Sequence, residues 1–234
     1  MIIRKRIVLF GLMLCMALPL PGFAQDKNSD SAPVTKQEQE RIVDEILRCV
    51  EKRYSGKGFS ARFFQTSILQ AMKITDTANG RSFFKKPGMM KWEYLLPDRQ
   101  QIITDGTTLW IYRPDDKQVT VGVFPSFFGD GKGAGFLSDI SLIRKKFIVA
   151  LGESPVESEH MLKLWPKEKN IDISVIHLAL ARETCEVIRV TTYNAYGDET
   201  RIELTDINFV EDLPDSIFHF IIPPGTDIVR MDQK

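Results

Sequence analysis

A catalytic or metal site in this chain would have to be built from three histidines, three cysteines, scattered serines and carboxylates, and one glycine-rich run. Their spacing argues against most of the chemistry they could do. His160, His177 and His219 each stand alone in a strand-like run, with no second His or Cys at metal-ligand spacing. Each reads as a surface or core histidine of a strand. Cys49 and Cys185 have no neighbouring histidine to draw off a thiol proton. Gly129-Asp130-Gly131-Lys132-Gly133 has the glycine content of a phosphate loop, but it lacks the Gly-Lys-Ser/Thr ending and the long helix that should follow. Ser126 and Ser138 lie outside any Gly-x-Ser-x-Gly setting, and the carboxylates form no recognisable pair. The expectation is a binding protein that is not an enzyme and uses no cofactor or metal.

Composition narrows the partners. Of 234 residues, 43% are hydrophobic and 26% charged, as in an ordinary globular chain. Lysine plus arginine and aspartate plus glutamate both number 31, so no basic surplus points to nucleic acid. Arg4-Lys5-Arg6 precede the apolar run Ile7–Leu20 and then Pro21-Gly22-Phe23-Ala24-Gln25, the pattern of a secretory signal peptide over residues 1–24. The apolar run is shorter than the roughly 20 residues that a membrane-spanning helix needs. Cys15 lies inside that run behind Leu14, a poor context for lipid attachment. Cleavage after Ala24 would deliver a weakly acidic chain to an oxidising compartment. There Cys49 and Cys185 form one disulfide or remain two buried thiols, and the sequence leaves both open.

The elements that must position any binding surface follow from periodicity. Residues 25–37 are polar and read as a loose leader, and a single domain is expected over 38–230. From Glu38 to Tyr54, Ile42, Val43, Ile46, Leu47, Cys49 and Val50 recur at helical spacing, predicting one amphipathic helix that stops before Gly56. Beyond Phe59 the period becomes two. Strands are expected near 59–69, 80–86, 89–96, 99–104, 107–113, 117–124, 147–153, 160–166, 173–181, 185–195, 199–209 and 216–222, with tight hairpin turns at Asp105-Gly106 and Gly197-Asp198. Between Phe124 and Lys146, glycines lead into a short helical pattern carrying Phe136, Leu137, Ile140 and Ile143, a candidate lid. The expected fold class is mainly β with some α: an incomplete antiparallel β-barrel of about eleven or twelve strands, covered by the N-terminal helix and the short helical insertion. Met90, Trp92, Tyr94 and Leu96 alternate with Lys91 and Glu93, so one face of that strand is apolar and either packs on the helices or lines a cavity.

Several segments then become specific. Phe59-Ser-Ala-Arg-Phe-Phe-Gln65, Gly80, Phe83-Phe84-Lys85-Lys86-Pro87-Gly88-Met89-Met90-Lys91-Trp92-Glu93-Tyr94, Ile102 to Tyr112, Lys117 to Val121 and Phe218 to Ile228 stand in an order that resembles the periplasmic outer-membrane lipoprotein carrier family, LolA. The resemblance implies a half-open barrel enclosing an apolar cavity for the acyl chains of lipoproteins. It also implies loading from an inner-membrane ATP-driven release complex, passage through the periplasm as a monomer, and delivery to an outer-membrane acceptor lipoprotein. Carried onto this chain, Met90, Trp92 and Tyr94 would face the cavity, while Ile46, Val50, Phe136, Leu137 and Ile140 would belong to the helices over its opening. The family's arginine before the motif proline bonds to lid carbonyls, and Lys86 stands at that position here. Lysine donates hydrogen bonds but lacks arginine's planar fork, so a latch at Lys86 would be held differently. The family's acceptor shares the fold but is anchored at an N-terminal cysteine, which is not found at the expected cleavage point. A relative that carries or senses another amphiphile would show the same apolar face, because a cavity does not name its ligand.

Overall fold

The structure is a computed structural model that describes residues 35–56, 58–124, 132–169 and 171–231. The expected signal peptide, most of the expected leader, and Ser126, Gly129 and Gly131 lie outside these residues. Helix α1 (Lys36–Arg53) begins where the Thr35 side chain accepts a hydrogen bond from the Glu38 backbone N–H at 3.2 Å. Glu38 in its first turn and Lys52 and Arg53 in its last complement the helix dipole. Val43, Ile46, Leu47 and Val50 form its buried stripe.

Twelve strands follow: β1 (Gly58–Leu69), β2 (Ile74–Lys85), β3 (Met89–Leu96), β4 (Gln100–Asp105), β5 (Thr108–Arg113), β6 (Gln118–Val123), β7 (Phe147–Gly152), β8 (Glu159–Pro166), β9 (Val175–Ala181), β10 (Val187–Tyr193), β11 (Glu199–Val210) and β12 (Asp227–Arg230). The insertion between β6 and β7 contributes a 3-10 turn (Lys132–Ser138) and a short helix α2 (Leu142–Lys146). All strands join one open sheet in the order β12-β6-β5-β4-β3-β2-β1-β11-β10-β9-β8-β7. Its two ends do not meet, as in an incomplete barrel. Neighbours are antiparallel apart from β12, which runs parallel to β6.

Two glycines explain local geometry. Gly106 turns the β4–β5 hairpin with φ 94°, a conformation that disfavours side chains. A Cβ on Gly80 would come within 1.9 Å of the Glu93 carbonyl oxygen, so only glycine permits the β2–β3 register shift at Asn79/Gly80.

The structure corrects the strand reading in three places. β2 starts at Ile74, because its exposed first half is held by the β1 ladder rather than by an apolar face. Residues 216–222 are not a strand. Asp215–Phe218 is a 3-10 turn that buries Phe218, and Ile221 is 84% exposed before Pro223-Pro224, neither of which can donate a ladder hydrogen bond. His219 therefore lies outside any strand. Leu96, expected inward with Met90 and Trp92, is 59% exposed, because the register shift opposite Asn79 breaks the alternation.

The inner face of the sheet, α1 and the insertion share one apolar cluster. The C-terminal half of α1 is fastened to the β9–β10 turn. Cys49 and Cys185 form a disulfide with Cα atoms 5.9 Å apart, Arg53 pairs with Glu186, and the Val187 N–H donates to the Tyr54 oxygen at 2.9 Å.

Candidate functional site

The candidate site is an apolar interior. On β3, Met90 and Trp92 point inward and are buried, Trp92 being 2% exposed. Trp92 is met edge-on by Phe63 of β1, with ring centroids 4.9 Å apart, and by Phe84 of β2 at 5.3 Å. Tyr94, one step further along, packs on this cluster, and its hydroxyl donates to Gln65 Oε1 at 3.0 Å. Burial pushes the Tyr94 phenol up to about 12, so it stays protonated and able to donate.

The helices close over this floor. Ile46 and Val50 reach in from α1, and Phe136, Leu137 and Ile140 from the insertion. All five are buried in the cluster that holds Met90 and Trp92. Seven of the eight residues singled out from sequence are thus members of one buried cluster, and Tyr94 packs against it. Phe136 also meets Phe147 at the start of β7, with centroids 6.5 Å apart. Phe63, Phe84 and Phe147 belong to the same interior. The first two stand in the segments that carry the family resemblance, but the sequence reading does not single them out.

Polar contacts hold the insertion down on two sides. Lys86, at the β2–β3 turn, places its Nζ 3.3 Å from Asp139 Oδ1, one residue past the 3-10 turn. Beside it the Gly88 N–H donates to the Ser138 carbonyl at 3.4 Å. Lys86 thus engages a carboxylate, where the family resemblance pointed to lid carbonyls. Burial alone would raise the Asp139 carboxyl, but hydrogen bonds from Ser141 and Lys86 outweigh it and hold it below the ordinary aspartate value. On the other side, Arg144 of α2 contacts Glu51 at 2.6 Å and Asp44 at 2.9 Å, tying α2 to α1. Neither Asp139 nor Arg144 was singled out from sequence, since both pairings depend on the fold.

The histidines stand apart from this interior. His160 lies in β8, and His177 in β9 meets the Tyr193 ring at 5.2 Å; burial pushes both imidazoles down. Among the described residues no group of three or more His, Cys, Asp or Glu is placed to hold a metal ion. Among them, too, no helix is long and apolar enough to cross a membrane.

An open antiparallel sheet with helices laid across an apolar inner face defines a class of half-barrel proteins. A crystal structure of an uncharacterized conserved protein from Thermus thermophilus shares this fold, with a TM-score of 0.53 at 14% identity over 80% of this chain and 98% of that one. Residues 55–221 match the family described as outer membrane lipoprotein carrier protein LolA. The outer-membrane lipoprotein carrier protein of Neisseria gonorrhoeae is 30% identical over 172 residues, covering 74% of this chain and 80% of the relative. The protein of the same description from Bordetella avium is 30% identical over 189 residues, covering 80% and 87%. The chain belongs to the LolA family of outer membrane lipoprotein carriers.

Proposed function

We propose that this protein is a periplasmic carrier that holds the acyl chains of lipoproteins in its apolar interior and ferries them from the inner to the outer membrane. The observation that carries the reading is the single apolar cluster in which the β3 floor, Met90 and Trp92, meets the cover residues Phe136, Leu137 and Ile140. Its partners would be acylated lipoproteins, an ATP-driven release complex in the inner membrane and an acceptor lipoprotein at the outer membrane. It would act as a monomer, without catalysis.

Magnitudes support the assignment. Each buried methylene is worth about 0.8 kcal/mol, so a chain of ~16 carbons gains roughly 12 kcal/mol on leaving water. Lifting Phe136, Leu137 and Ile140 out of the cluster costs about 5–9 kcal/mol in total, at roughly 1.5–3 kcal/mol for each side chain. For a single chain the difference favours cargo by about 3–7 kcal/mol. That holds an acyl chain in water while allowing an acceptor to remove it. Met90 suits the task, because an unbranched thioether repacks around chains of varied shape.

Incubating the mature protein with inner-membrane vesicles and ATP tests this reading. Lipoprotein should appear in the soluble fraction, bound to the protein. Release of free lipid without protein would instead point to a carrier of another amphiphile.

A further inference from the structure

A cleft of about 430 Å³ runs between the N-terminal half of α1 and strand β7. Its floor is apolar, formed by Val43, Leu47, Phe147 and Val149, and Lys36, Glu40, Asp44 and Arg144 stand along its rim. Two geometric facts define what it could hold. First, Val149, Ala150 and Leu151 all line it. Successive side chains of a strand point to opposite faces, so a cleft touched by three in a row lies along the strand's edge. β7 is the last strand in the sheet order, so this edge has no strand partner among the described residues. Second, the α1 wall runs from Lys36 to Leu47, about 16 Å at the helical rise. That matches roughly five extended residues.

The cleft is also continuous with the interior. Phe147, Val43 and Leu47 belong to the buried cluster, and Phe147 meets Phe136 there. It is therefore a place where the apolar interior adjoins a strand edge with no strand partner among the described residues.

We infer that this edge binds the extended peptide following the acylated cysteine of a lipoprotein, as an added strand alongside β7. The inference rests on the carrier reading above. A lipoprotein is apolar in its acyl chains and polar in the backbone that follows. The chains can enter the cluster, but peptide N–H and C=O groups at its boundary need partners. An unpaired strand edge supplies them without regard to side chains, so cargoes of different sequence can be held. The apolar floor and mixed-charge rim accept alternating side chains without selecting a charge.

The test uses the full mature chain and displacement of a fluorescent fatty acid by three probes. These are a triacylated decapeptide, its twin N-methylated at alternate amides over the six residues after the cysteine, and a triacylated cysteine with no further peptide. The parent should bind about tenfold more tightly than either of the others, since N-methylation removes two or three hydrogen bonds and leaves the acyl chains unchanged. A photoreactive residue in the parent's tail should cross-link to 147–152 or to α1 between Lys36 and Leu47. Equal binding by parent and twin would overturn the inference. So would cross-links elsewhere, or the cleft remaining occupied by a second copy or by residues ahead of Thr35 when the lipopeptide is bound. If no acylated probe displaces the fatty acid, the carrier reading fails, and the role of the cleft fails with it.

Discussion

Lys86 Nζ lies 3.3 Å from Asp139 Oδ1, joining the β2–β3 turn to the insertion that covers the apolar interior. The Lys86 side chain is 54% exposed, so the pair adds only about 0–1 kcal/mol to stability. Its value lies in where it sits. Replacing Lys86 with Leu should leave the melting temperature within about 4 °C of the parent. The same change should slow cargo release to an acceptor, because the cover loses a contact that favours its closed position. Unchanged release from Lys86→Leu would remove the latch from the account.

The same contact sets a pH dependence. Asp139 is held below the ordinary aspartate value, so its folded-state pKa is depressed. Such a group contributes stability that is present above the unfolded pKa and is lost as pH falls through the folded one. The protection of the Ser138 and Asp139 amides against hydrogen exchange should thus be flat from neutral pH downwards and fall only in the acid range below the ordinary carboxylate value. Asp139→Asn should abolish the acid step. An equal step in that variant would assign it to another carboxylate.

The Cys49–Cys185 disulfide joins residues 136 apart in the chain and ties α1 to the β9–β10 turn. Replacing both cysteines with serine, or adding reductant, should cost about 2–4 kcal/mol. In a chain of this size that is a fall of roughly 5–15 °C in melting temperature. Denaturant unfolding with and without reductant measures it. Coincident curves would show that the bridge adds no net stability.

Trp92 reports directly on the interior. With Trp110 and Trp165 replaced by Phe, Trp92 is the sole indole, since the chain has three. An acyl ligand brominated along its chain should then quench most of its emission. Quenching confined to a variant that retains only the more exposed Trp165 would place the chain outside the barrel. Trp92→Ala should also destabilise the protein by about 3–5 kcal/mol, since it empties a buried aromatic site.

Most of the sheet was legible because its strands alternate visibly. Met90 and Trp92 point inward while Lys91 and Glu93 pair on the outer face at 2.7 Å. Turn glycines such as Gly106 mark the hairpins. What escaped was structure held by neighbours rather than by its own pattern. β12 is four exposed residues whose only signal is a parallel ladder with β6. Residues 216–222 looked strand-like, but Asp215–Phe218 forms a 3-10 turn that buries Phe218, and Pro223-Pro224 follow directly. Much of the buried apolar cluster, including Met90, Trp92 and the α1 stripe, follows from spacing. The polar contacts that hold the cover, Lys86 with Asp139 and Arg144 with Asp44 and Glu51, join segments far apart in the chain and leave no local trace.

Whether acylated lipoproteins are the cargo decides everything else. The most direct measurement is to purify the mature protein from the periplasm without detergent and to identify by mass spectrometry what accompanies it. Lipoproteins carrying intact acyl chains should be found, near one per protein, and should be lost on mixing with an outer-membrane acceptor. A free lipid with no protein attached, or a protein that takes no lipoprotein from inner-membrane vesicles, would contradict the carrier reading.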